Sequence, residues 1–146
     1  MNDSPLLAGI RFDQAKHGYR REQVDTFIIE LSDKISELQE LWRETNTRAT
    51  ALEAELATEA DRLGIVVPAS DPPSPFTRDE TATPMSSLVF AEERRGYDKG
   101  QVDYFLRETG FKIAELQHLY QVARERGVTA EMRLAVLRRD AATSSG

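Results

Sequence analysis

The chain has 146 residues, 30% of them charged and 8% aromatic, with a formal net charge of −6 and a pI near 5.0. That composition leaves little apolar material for a thick core, so an elongated helical assembly is expected rather than a compact globule. The absence of cysteine excludes disulfides, thiolate zinc sites and a cysteine nucleophile, and the acidic balance opposes nonspecific binding to nucleic acid.

Met1 to Gly9 has neither a basic start nor an apolar run of signal-peptide length. No later window approaches the roughly 18 to 20 apolar residues that cross a bilayer, so a cytoplasmic location is expected. The next segment organises the whole chain. Ile10 to Trp42 aligns without gaps on Leu88 to Tyr120 at a constant offset of 78, with 14 of 33 positions identical. Amphipathic helices match one another by pattern alone, but F-x5-G-Y-x4-V-D-x-F at identical spacing twice is beyond what periodicity supplies. Its residues are Phe12, Gly18, Tyr19, Val24, Asp25 and Phe27 in the first copy, and Phe90, Gly96, Tyr97, Val102, Asp103 and Phe105 in the second.

Within each copy the glycine precedes a helix, where a positive φ or a tight turn is expected. The aromatic residues are expected to anchor the loop on the first turns of the coil, and the aspartates to be first-turn acids favoured by the helix dipole. Asp98 and Gln101 resemble a capping box; the first copy has Arg20 at the cap position, so its first turn frays or is capped by another group.

A helix follows in which Val24, Ile28, Leu31, Ile35, Leu38, Trp42, Thr45, Ala49, Leu52, Leu56 and Leu63 fall on alternating steps of four and three, with only Glu59 off pattern, a sustained heptad seam. From Gly64 to Ser87 the chain carries five of its six prolines, which predicts an extended linker with Ile65, Val66, Val67 and Phe76 pinned on a neighbour. The second seam, Val102, Leu106, Thr109, Ile113, Leu116, Tyr120 and Ala123, is weakened at Gly110 and expected to end at Gly127. A short helix near 130–139 and a Ser-rich tail complete the chain.

The expected fold is therefore all-α: a first unit at 6–63, a Pro-rich linker at 64–87, a second unit at 88–126, and a short helix with a flexible tail at 127–146. His17 and His118 have no carboxylate cluster at ligand spacing, and no nucleophile motif or phosphate loop occurs. No catalytic residue, metal site, cofactor or small-molecule substrate is expected.

The two segments F-D-Q-A-K-H-G-Y-R-R-E-Q-V-D-T-F-I and F-A-E-E-R-R-G-Y-D-K-G-Q-V-D-Y-F-L resemble the N-terminal motif of the bacterial DivIVA family, a Phe followed by R-G-Y-D and V-D-x-F-L. The resemblance covers about two thirds of the chain. It implies a unit that pairs as a parallel coiled coil with crossed loops at its tip, and a non-enzymatic scaffold at the cell pole or septum that oligomerises and recruits proteins of division or cell-wall growth. It also implies a loop that touches membrane, but Lys16-His17 and Arg94-Arg95 stand where the family has an apolar residue beside a basic one. Lys16, His17, Arg20, Arg21, Arg94, Arg95 and Lys99 keep the tips basic, for weak contact with an anionic surface or a partner.

The missing wedge and the short chain suit an alternative, a soluble adaptor or antagonist that pairs with another coiled-coil protein of this type without touching membrane. The linker can stretch to about 79 Å against a first helix of about 65 Å, so the repeats are able to pair within one chain. The longer first coil, which leaves Leu52, Leu56 and Leu63 uncovered, favours pairing between chains.

Overall fold

The computed structural model describes residues 10–68, 72–81 and 90–144. The ends of the predicted units at 6–9, 69–71, 82–89 and 145–146 lie outside them. The fold is mostly helical, in the order β1 (Gln14–Tyr19), α1 (Arg21–Leu63), β2 (Glu92–Tyr97) and α2 (Lys99–Ser144). Two features depart from the expected all-α plan. Each predicted loop is a six-residue strand, and the two strands form one small sheet. The second helix does not stop at Gly127; it runs unbroken for 46 residues and absorbs the separate short helix. Packing overrides the helix penalty of glycine, because Ala123, Ala130 and Leu134 on either side of Gly127 are all buried.

The chain divides into two compact units, and each is assembled from both repeats. The first comprises Met1–Gln39 with Thr77–Leu116, and the second Glu40–Phe76 with Gln117–Gly146. In the first unit Val24, Ile28 and Leu31 of α1 meet Val102 and Leu106 of α2, with Phe12, Tyr19, Phe27, Phe90, Tyr97, Phe105 and Ile113 packed around them. Ile35, Phe111 and Leu116 are buried as well, whereas Leu38 is half-buried. In the second unit Ala49, Leu56, Ala60, Ala123, Ala130 and Leu134 are buried, and Trp42, Leu52 and Tyr120 are half-buried.

The repeats thus pair with each other inside the chain. The uncovered seam that favoured pairing between chains does not arise, since α2 continues far enough to bury Leu56, and Leu52 lies against Gly127. Helix α1 closes at Gly64, whose φ of 67° lets its amide reach Asp61 and the Ile65 amide reach Ala60, satisfying two end carbonyls.

Linker residues lie on α2 within each unit. In the first unit the Arg78 guanidinium sits 4.0 Å above the Phe111 ring and pairs with Glu108, while Arg107 pairs with Glu80. In the second unit Phe76 stacks 5.8 Å from the His118 ring, His118 Nε2 is 2.9 Å from the Ser74 carbonyl, and Arg133 donates to the Pro68 carbonyl. The expected pinning therefore holds for Phe76 and fails for Ile65 and Val66, which are exposed.

Candidate functional site

The motif residues gather at one place in the first unit, and each reaches across to the other repeat. Phe12 packs against Tyr97 and Phe105, with ring centroids 5.2 and 5.7 Å away; Phe90 packs against Tyr19 and Phe27 at 5.3 and 5.8 Å. Each Phe is thus anchored on the helix of the other repeat, not on its own. Tyr19 donates to Asp103 and Tyr97 donates to Asp25, both at 2.8 Å. The two aspartates are hydrogen-bond acceptors for the opposite tyrosine rather than the first-turn acids expected: each is the fifth residue of its helix, past the first turn, where the acid of α1 is Glu22 and α2 has none. Burial first, then the carboxylate beside each hydroxyl, pushes both phenols up to about 12.

The backbone repeats the same exchange. Asp13 donates its amide to Gln101 Oε1 and Ala91 donates to Gln23 Oε1, each at 2.7 Å. Arg20 donates to the Ala91 carbonyl and Asp98 to the Asp13 carbonyl. Partners across the sheet run Gln14 to Tyr97, Ala15 to Gly96, His17 to Arg94, Gly18 to Glu93 and Tyr19 to Glu92, yet Tyr19 also faces Tyr97. Such an irregular ladder belongs to two segments that cross.

The crossing explains the glycines. A Cβ on Gly18 would lie 2.3 Å from the Tyr97 carbonyl oxygen, and one on Gly96 would lie 2.4 Å from that of Tyr19. Both are backbone atoms that no rotamer change can move. The expected positive φ is not at these glycines; among the described residues outside Gly64 it falls on Arg95, at 57°. Gly18 and Gly96 serve close approach.

Helix capping also uses both repeats. Asp98 accepts the Gln101 amide at 3.0 Å, as the capping box predicts, but the Gln101 side chain turns to Asp13 instead of back to its own cap. Helix α1, with Arg20 at its cap position, receives another group: Glu93 accepts the Arg21 amide at 2.9 Å and also meets the Arg21 side chain, and that amide hydrogen bond first, then the side chain, holds the Glu93 carboxyl below its usual range.

The seven basic loop residues separate into two sets. Arg21 pairs with Glu93, Lys99 with Glu92, and Arg20 lies 3.9 Å from Glu22. Lys16, His17, Arg94 and Arg95 are exposed on the two paired strands, so the two expected basic tips are one basic apex. Among the described residues no group of three or more His, Asp or Glu could hold a metal, and no helix is long and apolar enough to cross a membrane.

Apart from the pinning of Phe76, the linker contacts on α2 were not foreseen from the sequence. Their signal is divergence between the repeats: Phe111 and Arg107 hold the linker where the first copy has Asp33 and Ile29. Compared with models of protein families, with curated proteins and with solved structures, the chain matches none.

Proposed function

We propose that this chain is a non-enzymatic, DivIVA-like interaction module in which two tandem motif units pair as a parallel coiled coil, acting in bacterial cell division or polar growth by recruiting partner proteins. The observation that carries the reading is the reciprocal head. Every element of the twice-written motif, the Phe, the Gly-Tyr and the Val-Asp-x-Phe, is spent on contact with the other copy. A motif with that single use is a pairing device, and its residues show no arrangement of nucleophile, base and oxyanion donors.

In the scaffold version the protein is cytoplasmic, gathers at the pole or septum, and links partners of the division or cell-wall machinery through its helix surfaces. A fluorescent fusion of the full chain then forms discrete polar or septal foci, and Gly96→Ala disperses them. Diffuse fluorescence of the unaltered fusion rejects this version. Contact of the basic apex with anionic headgroups is weak and screened, about 1 kcal/mol for each of Lys16, Arg94 and Arg95. Sedimentation with anionic vesicles that persists at high salt would contradict it.

A second reading, an adaptor or antagonist that joins another coiled-coil scaffold of this kind without membrane contact, is favoured by the internal pairing. The chain satisfies both Tyr–Asp bonds by itself and needs no second copy at its head. Co-purification with a DivIVA-type scaffold supports it, and failure to form any mixed assembly removes it.

A further inference from the structure

Helix α2 has a second seam in the second unit, on the side opposite its buried one. Ala123, Ala130 and Leu134 face inward at 1 to 2% exposure, whereas Val128, Met132 and Val136 are 48%, 65% and 45% exposed. With 100° per residue, Met132 lies about 180° from the middle of the buried face. Continuing outward at steps of four and three, the seam takes in Glu125 on one side and Arg139 on the other, flanked by Arg124 and Asp140. All four charged residues are exposed. The Arg139 guanidinium lies 4.0 Å from the carboxylate of its neighbour Asp140, and the Arg139 carbonyl accepts from Thr143.

The first repeat has no such ridge. At the same offset α1 places Thr50, Ala54 and Thr58, so the apolar face lies past the end of the repeat on α2 and is not a by-product of duplication. Its sequence is also a palindrome in charge and shape about Met132. When the helix is laid antiparallel on a copy of itself, Met132 faces Met132, Val128 faces Val136, Glu125 faces Arg139 and Arg124 faces Asp140, each of the last three twice. A parallel copy would place Glu125 on Glu125 and Arg139 on Arg139, like charges on like.

We propose that this ridge is a self-association surface, through which two chains join antiparallel with Met132 on the two-fold axis. The interface is isologous, as closed dimers require. It rests on the second unit alone and holds whether or not the proposed function does; if both hold, it supplies a joint that links two heads. The contact is small, on the order of 1,000 Å² for about five turns of paired helix, at the low end of specific interfaces, so the dimer is weak and concentration-dependent.

The test uses the full chain. Light scattering across a concentration series is expected to move from 16.5 kDa toward twice that mass. Met132→Glu is expected to hold the chain at 16.5 kDa at every concentration with unchanged helical circular dichroism, since the side chain is exposed. Glu125→Arg alone and Arg139→Glu alone each weaken the dimer at least tenfold, and the two together restore it. Because the chain lacks cysteine, orientation is read directly. Val128→Cys mixed with Val136→Cys crosslinks under oxidation, while either alone does not, its thiols lying about 12 Å apart along the axis. A chain monomeric at every concentration, a dimer indifferent to Met132→Glu, or crosslinking of Val128→Cys with itself overturns the proposal.

Discussion

The first unit and the second unit use the same two helices to different ends. In the first, tolerance is set by backbone against backbone: Gly18 and Gly96 leave no room for a methyl group, and the aromatic and Tyr–Asp contacts come in matched pairs. In the second, small residues meet with space to spare, Ala49 opposite Gly127, and specificity is carried by charged side chains at the margin, with Arg48, Arg126 and Arg138 paired to Glu131, Glu53 and Glu55. The lesson is that a repeated sequence keeps its strict spacing where every residue has a reciprocal partner, and loses it where apolar pattern alone suffices.

The largest expected break of this contrast is Gly96→Ala. The new methyl would meet the Tyr19 carbonyl 2.4 Å away, and the Gly18 backbone would have to move with it. Separating the crossed loops also loosens Phe12, Phe90 and both Tyr–Asp bonds, so a loss of about 3 kcal/mol or more is expected. Urea unfolding monitored by circular dichroism measures it, and a loss below about 1 kcal/mol would mean that the crossing is not the fixed point of the head.

Next in size is the double variant Tyr19→Phe and Tyr97→Phe, which keeps the rings and deletes both hydroxyls. Each bond is to a carboxylate but partly exposed, so about 1 kcal/mol apiece is expected after allowance for solvent. The pH dependence is more telling. Both phenols are raised from 10.0 to about 12 in the folded chain. A proton held more tightly by the folded than the unfolded state stabilises the fold fully below pH 10, and that stability disappears as pH rises through 12. Melting curves of the unaltered chain should therefore fall in this window, and the double variant should lose the part of the fall that these two hydroxyls cause.

Much of this contrast was legible in the sequence, and the rest was hidden for physical reasons. The motif was visible because aromatic, glycine and acidic residues recur at fixed spacing, and the seam because Val24, Ile28, Leu31 and Ile35 repeat at helical intervals. What spacing does not encode is the partner: nothing local tells that Tyr97 binds Asp25 rather than Asp103, because each helix carries the same acid. The strands were hidden because Q-A-K-H-G-Y and E-E-R-R-G-Y have no alternating apolar pattern, and their extended form comes from pairing with each other. Helix propensity misled at Gly127, where the buried neighbours on both sides decide the outcome.

Arg126→Ala probes the margin of the second unit. Its guanidinium pairs with Glu53 and also reaches Asn46 and Thr50 on α1. The Glu53 carboxyl is held below its usual range chiefly by the Arg126 hydrogen bond. Because the pair is partly exposed, about 1 kcal/mol of destabilisation is expected, shrinking in high salt. An effect as large as that of Gly96→Ala would erase the distinction between the units.

The smallest expected effect has the opposite sign and sharpens the comparison most. Gly127 sits inside α2, where its backbone freedom works against the helix, and a Cβ there would lie 3.7 Å from that of Ala49, an ordinary contact. Gly127→Ala removes unfolded-state freedom and adds no clash, so a gain of about 0.5 to 1 kcal/mol is expected. The same substitution thus breaks the first unit at Gly96 and tightens the second at Gly127. Paired denaturation curves decide the matter. If Gly127→Ala destabilises instead, the helices approach more closely there than the Ala49 contact implies, and the second unit is as tightly keyed as the first.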